Sequence, residues 1–341
     1  MQLDELYFKT AEAISKLDFS RIWPGFKPLK FALYDNEKCF FDGAYIEKSG
    51  EFCANTSIEF RGEQIAIWNV MEELDIPVMT SKMVHEMFHG FQHINGWNCG
   101  PNEMEALYSY SYDPENLSIK LRENELLLCL LDRFDDDSYR ELIKLRKLRS
   151  MEHPYEFSYE SSVEEIEGTA NFVEWQVLKQ LDEAQAEKLK ERMHAVMTKP
   201  EYLFPIRISC YYTGALLINA MLCAGEYGFC AEKRPVSTQI LEGVVPAAGF
   251  AVRADVSDAV ETFNSDTRAI IESALKKNEI ALKGPCELVY VNIYNARCLN
   301  GFITSTYFVA YKNGDETAML QGDFVVKMLD ERTIDIVYRW A

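Results

Sequence analysis

Apolar and polar residues repeat with two different periods along the 341-residue chain. Residues 3–17 repeat at helical spacing and predict a first helix, closed by the Trp23-Pro24-Gly25 break. Residues 29–34, 39–45, 56–60 and 64–70 are short runs with β-branched and aromatic side chains, punctuated by Asn36, Gly43, Gly50 and Gly62. They predict a small N-terminal sheet over about residues 29–70. A helix then spans about residues 80–95, with Thr80 or Ser81 as N-cap and Gly96 just past its end. The helical period continues over residues 101–278, with helices predicted at 101–112, 115–134, 139–151, 161–181, 182–197, 205–226 and 257–277. After Gly284-Pro285 the period falls to two, over 287–294, 302–311, 317–327 and 333–340, and Asn313-Gly314 is a type I′ hairpin signal. The pattern predicts an α+β fold: a mostly helical domain over residues 1–283 with a small N-terminal β-sheet, followed by a C-terminal antiparallel β meander over 284–341. A sheet that small needs the helical body to pack against.

Composition narrows the function. Hydrophobic residues make up 48% of the chain, enough for a sizeable core. Lys and Arg number 35 against 54 Asp and Glu, a net charge of −19, which opposes broad association with nucleic acid or an anionic membrane. The first residues carry acids and no basic region followed by an apolar one, so no signal peptide is expected, and no stretch reads as a membrane span. Nine scattered cysteines without a CxxC pair predict reduced thiols and a cytoplasmic location, not a disulfide framework or a thiolate metal site.

The chemistry concentrates in His85-Glu86-Met87-Phe88-His89. Residues four apart on a helix share a face, so His85 and His89 can direct imidazoles at one ion, Zn²⁺ in this HExxH arrangement. Glu86 beside them is then the general base that takes a proton from water. His93 continues the four-residue spacing, but on a straight helix it lies about 80° round from His85 and about 12 Å along the axis. One ion cannot reach all three, so His93 is expected to line the cleft or pack at its edge.

A third ligand must come from elsewhere, and the segment Glu167-Gly168-Thr169-Ala170-Asn171-Phe172-Val173-Glu174 offers one. It resembles the second-helix segment of the gluzincin (HExxH…E) zinc metallopeptidases, with phenylalanine in the tyrosine position and the last glutamate one place late. The resemblance implies a zincin-like fold and Zn²⁺ held by His85, His89 and Glu167. It also implies that Gly168 lets the two ligand helices approach, and that Glu174 orients a histidine from behind. Glu164 and Glu165 complete capping boxes with Ser161 and Ser162 and are expected to start the helix. Further on, Tyr211-Tyr212-Thr213-Gly214 resembles the YxxG segment of the aminopeptidase branch, which implies that Tyr211, or else Tyr212, stabilises an oxyanion. The likeness runs from Gln64 to Met221. The GxMEN segment that grips a free amino terminus has no counterpart, and residues 64–70 are expected to form the edge of the cleft. Together these imply a zinc-dependent peptidase acting on a peptide or protein substrate. The alternatives are a zinc hydrolase of non-peptide amides, or a silent metal-binding scaffold that holds a peptide or protein partner.

Overall fold

A computed structural model describes residues 2–72, 74–97, 100–228 and 235–340. The fold is α+β, as the hydrophobic pattern predicts. Helix α1 (Leu3–Ser15) buries the stripe Leu3, Leu6, Thr10, Ala13 and Ile14. Five strands follow: β1 (Lys30–Tyr34), β2 (Cys39–Phe41), β3 (Ala44–Ile46), β4 (Thr56–Phe60) and β5 (Glu63–Asn69). They form a mixed sheet in the order β3-β2-β1-β5-β4, with β1 and β5 parallel. The single strand expected over 39–45 is a hairpin, because Asp42 and Gly43 both take left-handed backbone, φ 51° and 82°, as a two-residue I′ turn requires. Residues 64–70 are not an edge but lie between β1 and β4, and the edge strands are β3 and β4.

Helix α2 (Ile76–Ile94) crosses this sheet. It starts ahead of the expected cap: Asp75 is the N-cap, Pro77 sits in the first turn, and Thr80 and Ser81 are buried inside the helix. Its end is as expected, with Gly96 at φ 69°. Gly90 sets the close approach to the sheet, since a Cβ there would lie 2.4 Å from Leu29 Cδ1 and 2.7 Å from Ser57 Oγ.

The helical body comprises α3 (Glu103–Ser109), α4 (Pro114–Asp132), α5 (Asp136–Glu152), α6 (Pro154–Val163), α7 (Thr169–Leu181), α8 (Glu183–Met197), α9 (Ile206–Cys223), α10 (Val236–Gln239) and α11 (Ala254–Lys277). A π-helical turn, Glu164–Gly168, joins α6 to α7. By length and composition α9 could cross a membrane, but most of it is buried inside the protein, and Arg207 is its one charged residue.

The helix predicted from residue 161 begins at Pro154, so Glu164 and Glu165 are interior residues, not caps. The Glu165 carboxylate instead accepts the Val236 backbone N–H at 2.6 Å. Glu164 joins a buried charge network, accepting from Arg146 Nη2 at 2.5 Å, Lys120 Nζ at 3.1 Å and Thr213 Oγ1 at 2.7 Å. Arg149 extends the network to Glu123, Glu160 and Asn116. Burial raises the Glu164 pKa, but Arg146 and Lys120 outweigh it and hold the carboxyl at about 2. Removing one partner of such a network strands a charge in the core, at about 3–5 kcal/mol. The network therefore fixes the backbone just before Glu167.

Seven strands close the chain: β6 (Ile280–Val291), β7 (Arg297–Leu299), β8 (Phe302–Ser305), β9 (Phe308–Asn313), β10 (Glu316–Gln321), β11 (Phe324–Met328) and β12 (Thr333–Arg339). The sheet is antiparallel as expected, but its order, β10-β9-β6-β12-β11-β8-β7, is not sequential. The long β6 lies inside, between β9 and β12. The expected hairpin forms one residue later: Asn313 pairs with Glu316, so Gly314 and Asp315 make the loop, with Gly314 at φ 62°. Alternate residues face opposite sides, so Phe324 and Val326 cluster near α3, while Val325 meets Ile271 and Ala274 of α11. Helices thus cover both faces.

Candidate metal centre

On α2, His85 and His89 stand one turn apart with their Nε2 atoms 3.1 Å from each other. Glu167 Oε2 lies 3.8 Å from His85 Nε2 and 3.5 Å from His89 Nε2. A tetrahedral ion with bonds of about 2.1 Å has ligand atoms about 3.4 Å apart. These residues therefore fit a divalent metal, and the His85-His89-Glu167 group could bind one.

The π turn explains how Glu167 arrives there. One extra residue in the turn frees backbone carbonyls that an α-helix would satisfy, a feature common at functional sites. Gln92 of α2 takes them up, its Nε2 donating to Ile166 O at 2.9 Å and Thr169 Oγ1 at 2.8 Å, while Thr169 Oγ1 donates to Glu165 O at 2.5 Å. With its amide nitrogen committed, Gln92 presents Oε1 to His89 Nδ1 at 2.8 Å. His89 then carries its proton on Nδ1 and turns the Nε2 lone pair toward His85 and Glu167.

Glu174 stands behind the other histidine, Oε2 lying 3.3 Å from His85 Nδ1, within ion-pair range though not aligned as a hydrogen bond. Its second oxygen pairs with Lys82 Nζ at 2.8 Å. Burial opposes the charge on Glu174, but Lys82 and His85 hold its pKa at about 2. Burial likewise disfavours a charged His85, yet Glu167, Glu174 and Glu86 outweigh it, and without metal the imidazole is raised to about 10. Burial pushes Glu167 up, and the two histidines pull it well below the usual carboxylate range. A metal binding here displaces a proton from His85, so binding strengthens as pH rises.

Glu86 is buried beside the ligands, and burial raises its pKa against the pull of His85 and His89. Its carboxylate has no part in the ion pairs that tie up Glu167 and Glu174. Tyr211 lies on the Glu167 side: its hydroxyl is 3.5 Å from Arg207 Nη2 and 3.4 Å from the hydroxyl of Tyr294, which the C-terminal sheet supplies after β6. Burial, then the Glu167 charge, raises the Tyr211 pKa far above its usual value, so its hydroxyl stays a neutral donor. Tyr212 stacks on Tyr202 with ring centroids 6.0 Å apart and lies within range of the Lys82 and Glu174 charges. His93 is exposed and stands apart from the ligand group.

Gly168 does not face α2. A Cβ on it would lie 2.5 Å from Gly214 Cα, so the glycine pair seats the ligand turn against α9. Comparison of the chain with protein-family models, with curated proteins and with solved structures gives no significant match. The geometry therefore carries the functional reading. Four residues that the sequence reading missed complete the surroundings: Lys82, Gln92, Glu103 and Arg207. Gln92 carried a usable signal, three residues after His89 and hence on the same helix face. Arg207 carried another, as the lone charge in an apolar helix.

Proposed function

We propose that this protein is a zinc-dependent hydrolase of the gluzincin type that cleaves peptide bonds in a peptide or protein substrate. The observation that carries the proposal is the convergence of His85, His89 and Glu167 with a buried Glu86, without an ion pair or hydrogen bond among the described residues, on the helix that bears the histidines. When bound, zinc supplies Lewis acidity that polarises a carbonyl and makes water a better nucleophile. The chain's own groups handle the protons and the charge. Glu86, with its pKa raised by burial, accepts the proton of the attacking water and passes it to the leaving amine. The Tyr211 hydroxyl donates to the oxygen that gains charge. Glu174 and Gln92 hold the two imidazoles in place. An extended substrate adds to edge strand β4 by main-chain hydrogen bonds, close to the ligands because Ser57 of β4 abuts Gly90 of α2. The seven described cysteines are free thiols, consistent with a cytoplasmic site of action.

The test is turnover of a mixed peptide library by wild type and Glu86→Gln, with bound zinc measured in both. Glu86→Gln is expected to keep zinc and to lose cleavage by about 10²-fold or more. Equal cleavage by the two proteins would refute the mechanism.

A further inference from the structure

Glu167 turns only one of its oxygens toward the histidines. The other, Oε1, accepts from Arg207 Nη2 at 2.7 Å. Arg207 is 93% buried, its exposure being 7%, and its Nη1 donates to Glu103 Oε1. Glu103 is in turn held by the Tyr159 hydroxyl, which donates to Oε2 at 2.8 Å. The rings of Tyr211 and Tyr294 each lie 5.7 Å from the guanidinium carbon. The guanidinium thus joins two carboxylates from different elements, α3 and the π turn, beneath two aromatic rings.

We propose that Arg207, pinned by Glu103, is a positioning residue for the metal: it holds Glu167 Oε1 away from the ion, so that Glu167 offers one oxygen only. A carboxylate free to rotate about its last bond can chelate with both oxygens, adding a ligand atom beyond the three protein ligands and the water of a catalytic site and so raising the coordination number. Here that rotation would break a buried, charge-assisted hydrogen bond. Affinity is an ambiguous readout, because the Arg207 charge both orders Glu167 and weakens it as a donor. Coordination number is not ambiguous. The inference rests on the metal-site reading alone and does not require peptide cleavage.

The test uses the full chain loaded with Co²⁺, whose visible d–d bands weaken and move to shorter wavelength as coordination number rises. Wild type is expected to show the strong bands of a low-coordinate site. Arg207→Met frees Glu167, and the bands should lose intensity and shift at full cobalt occupancy. That variant also leaves Glu103 unpaired in the interior, so Arg207→Met with Glu103→Gln, which removes both opposing charges, is measured beside it and should show the same change. Wild-type spectra in both variants would overturn the proposal. Absence of bands in the wild type, or bands that survive in His85→Ala, would refute the metal site itself and the inference with it.

Discussion

Gly168→Ala opposes two effects whose balance the structure decides. In an ordinary helix interior the change to alanine gains about 0.8–1.0 kcal/mol. At Gly168 the new Cβ would lie 2.5 Å from Gly214 Cα and 3.0 Å from Gly214 C. Non-bonded carbons rest at about 3.5–4.0 Å, so α9 and the π turn must separate by about 1 Å. The obstacle is backbone, which no rotamer change relieves. Separation of that size forfeits a quarter to a half of the dispersion energy along the interface, and overpacking of this kind costs about 1–3 kcal/mol in general. Because α9 buries twelve of its residues, the upper end applies, and the net expectation is a loss of about 2 kcal/mol after the helical gain. Urea unfolding of metal-free protein reads it. Gly214→Ala should lose a similar amount, since its Cβ would meet Gly168 Cα at 2.7 Å and Glu164 O at 2.8 Å. Gly90→Ala should lose less, because its Cβ meets the side-chain ends of Leu29 and Ser57. Gly50, with nothing within 4 Å of its Cβ, should tolerate alanine. A Gly168→Ala protein as stable as wild type would refute the close packing of the two helices.

Other outcomes follow from the buried carboxylates and the groups behind the ligands. Burial, against the pull of the Val236 N–H, raises Glu165 from 4.5 to about 7 in the folded protein. A raised folded pKa favours the neutral form, so this group costs nothing below pH 4.5 and destabilises increasingly as pH climbs to 7, reaching about 3 kcal/mol. Glu165→Gln should therefore exceed wild type in stability at pH 8 far more than at pH 5, measured by urea midpoints without metal; a pH-independent difference would contradict it. Gln92→Ala removes the partner of His89 Nδ1 and should weaken zinc binding about 10–100-fold in chelator competition. Unchanged affinity would show that His89 needs no such support.

Much of this site was legible because its parts are local. His85, Glu86 and His89 share one helix, so spacing gave their relation, while Glu167 and Glu174 came from the likeness of their short segment to the gluzincins. What escaped the sequence reading depends on contacts across the chain. The π turn has no signature in the periodicity, since it adds a residue where the pattern reads as continuous helix. Gly168 reads as a small residue at a helix contact, but only the fold names Gly214 as its partner. Glu164, Lys120, Arg146 and Arg149 resemble the solvated faces of amphipathic helices, yet each is at least 97% buried, with exposures of 3%, 0%, 1% and 0%. The link from Glu103 through Arg207 to Glu167 joins three elements over long sequence separations, and no local rule anticipates it. In the N-terminal sheet, the aromatic residues of the 39–45 run pass for one strand, but Asp42 and Gly43 in left-handed backbone divide it into a hairpin.

The most direct test of the metal centre is the metal content of purified protein by mass spectrometry of the elements, after dialysis against buffer with limiting zinc. The account predicts about one zinc per chain in wild type and in Glu86→Gln, none retained in His89→Ala, and much weakened retention in Glu167→Ala. Full zinc in Glu167→Ala, or none in wild type, would contradict it.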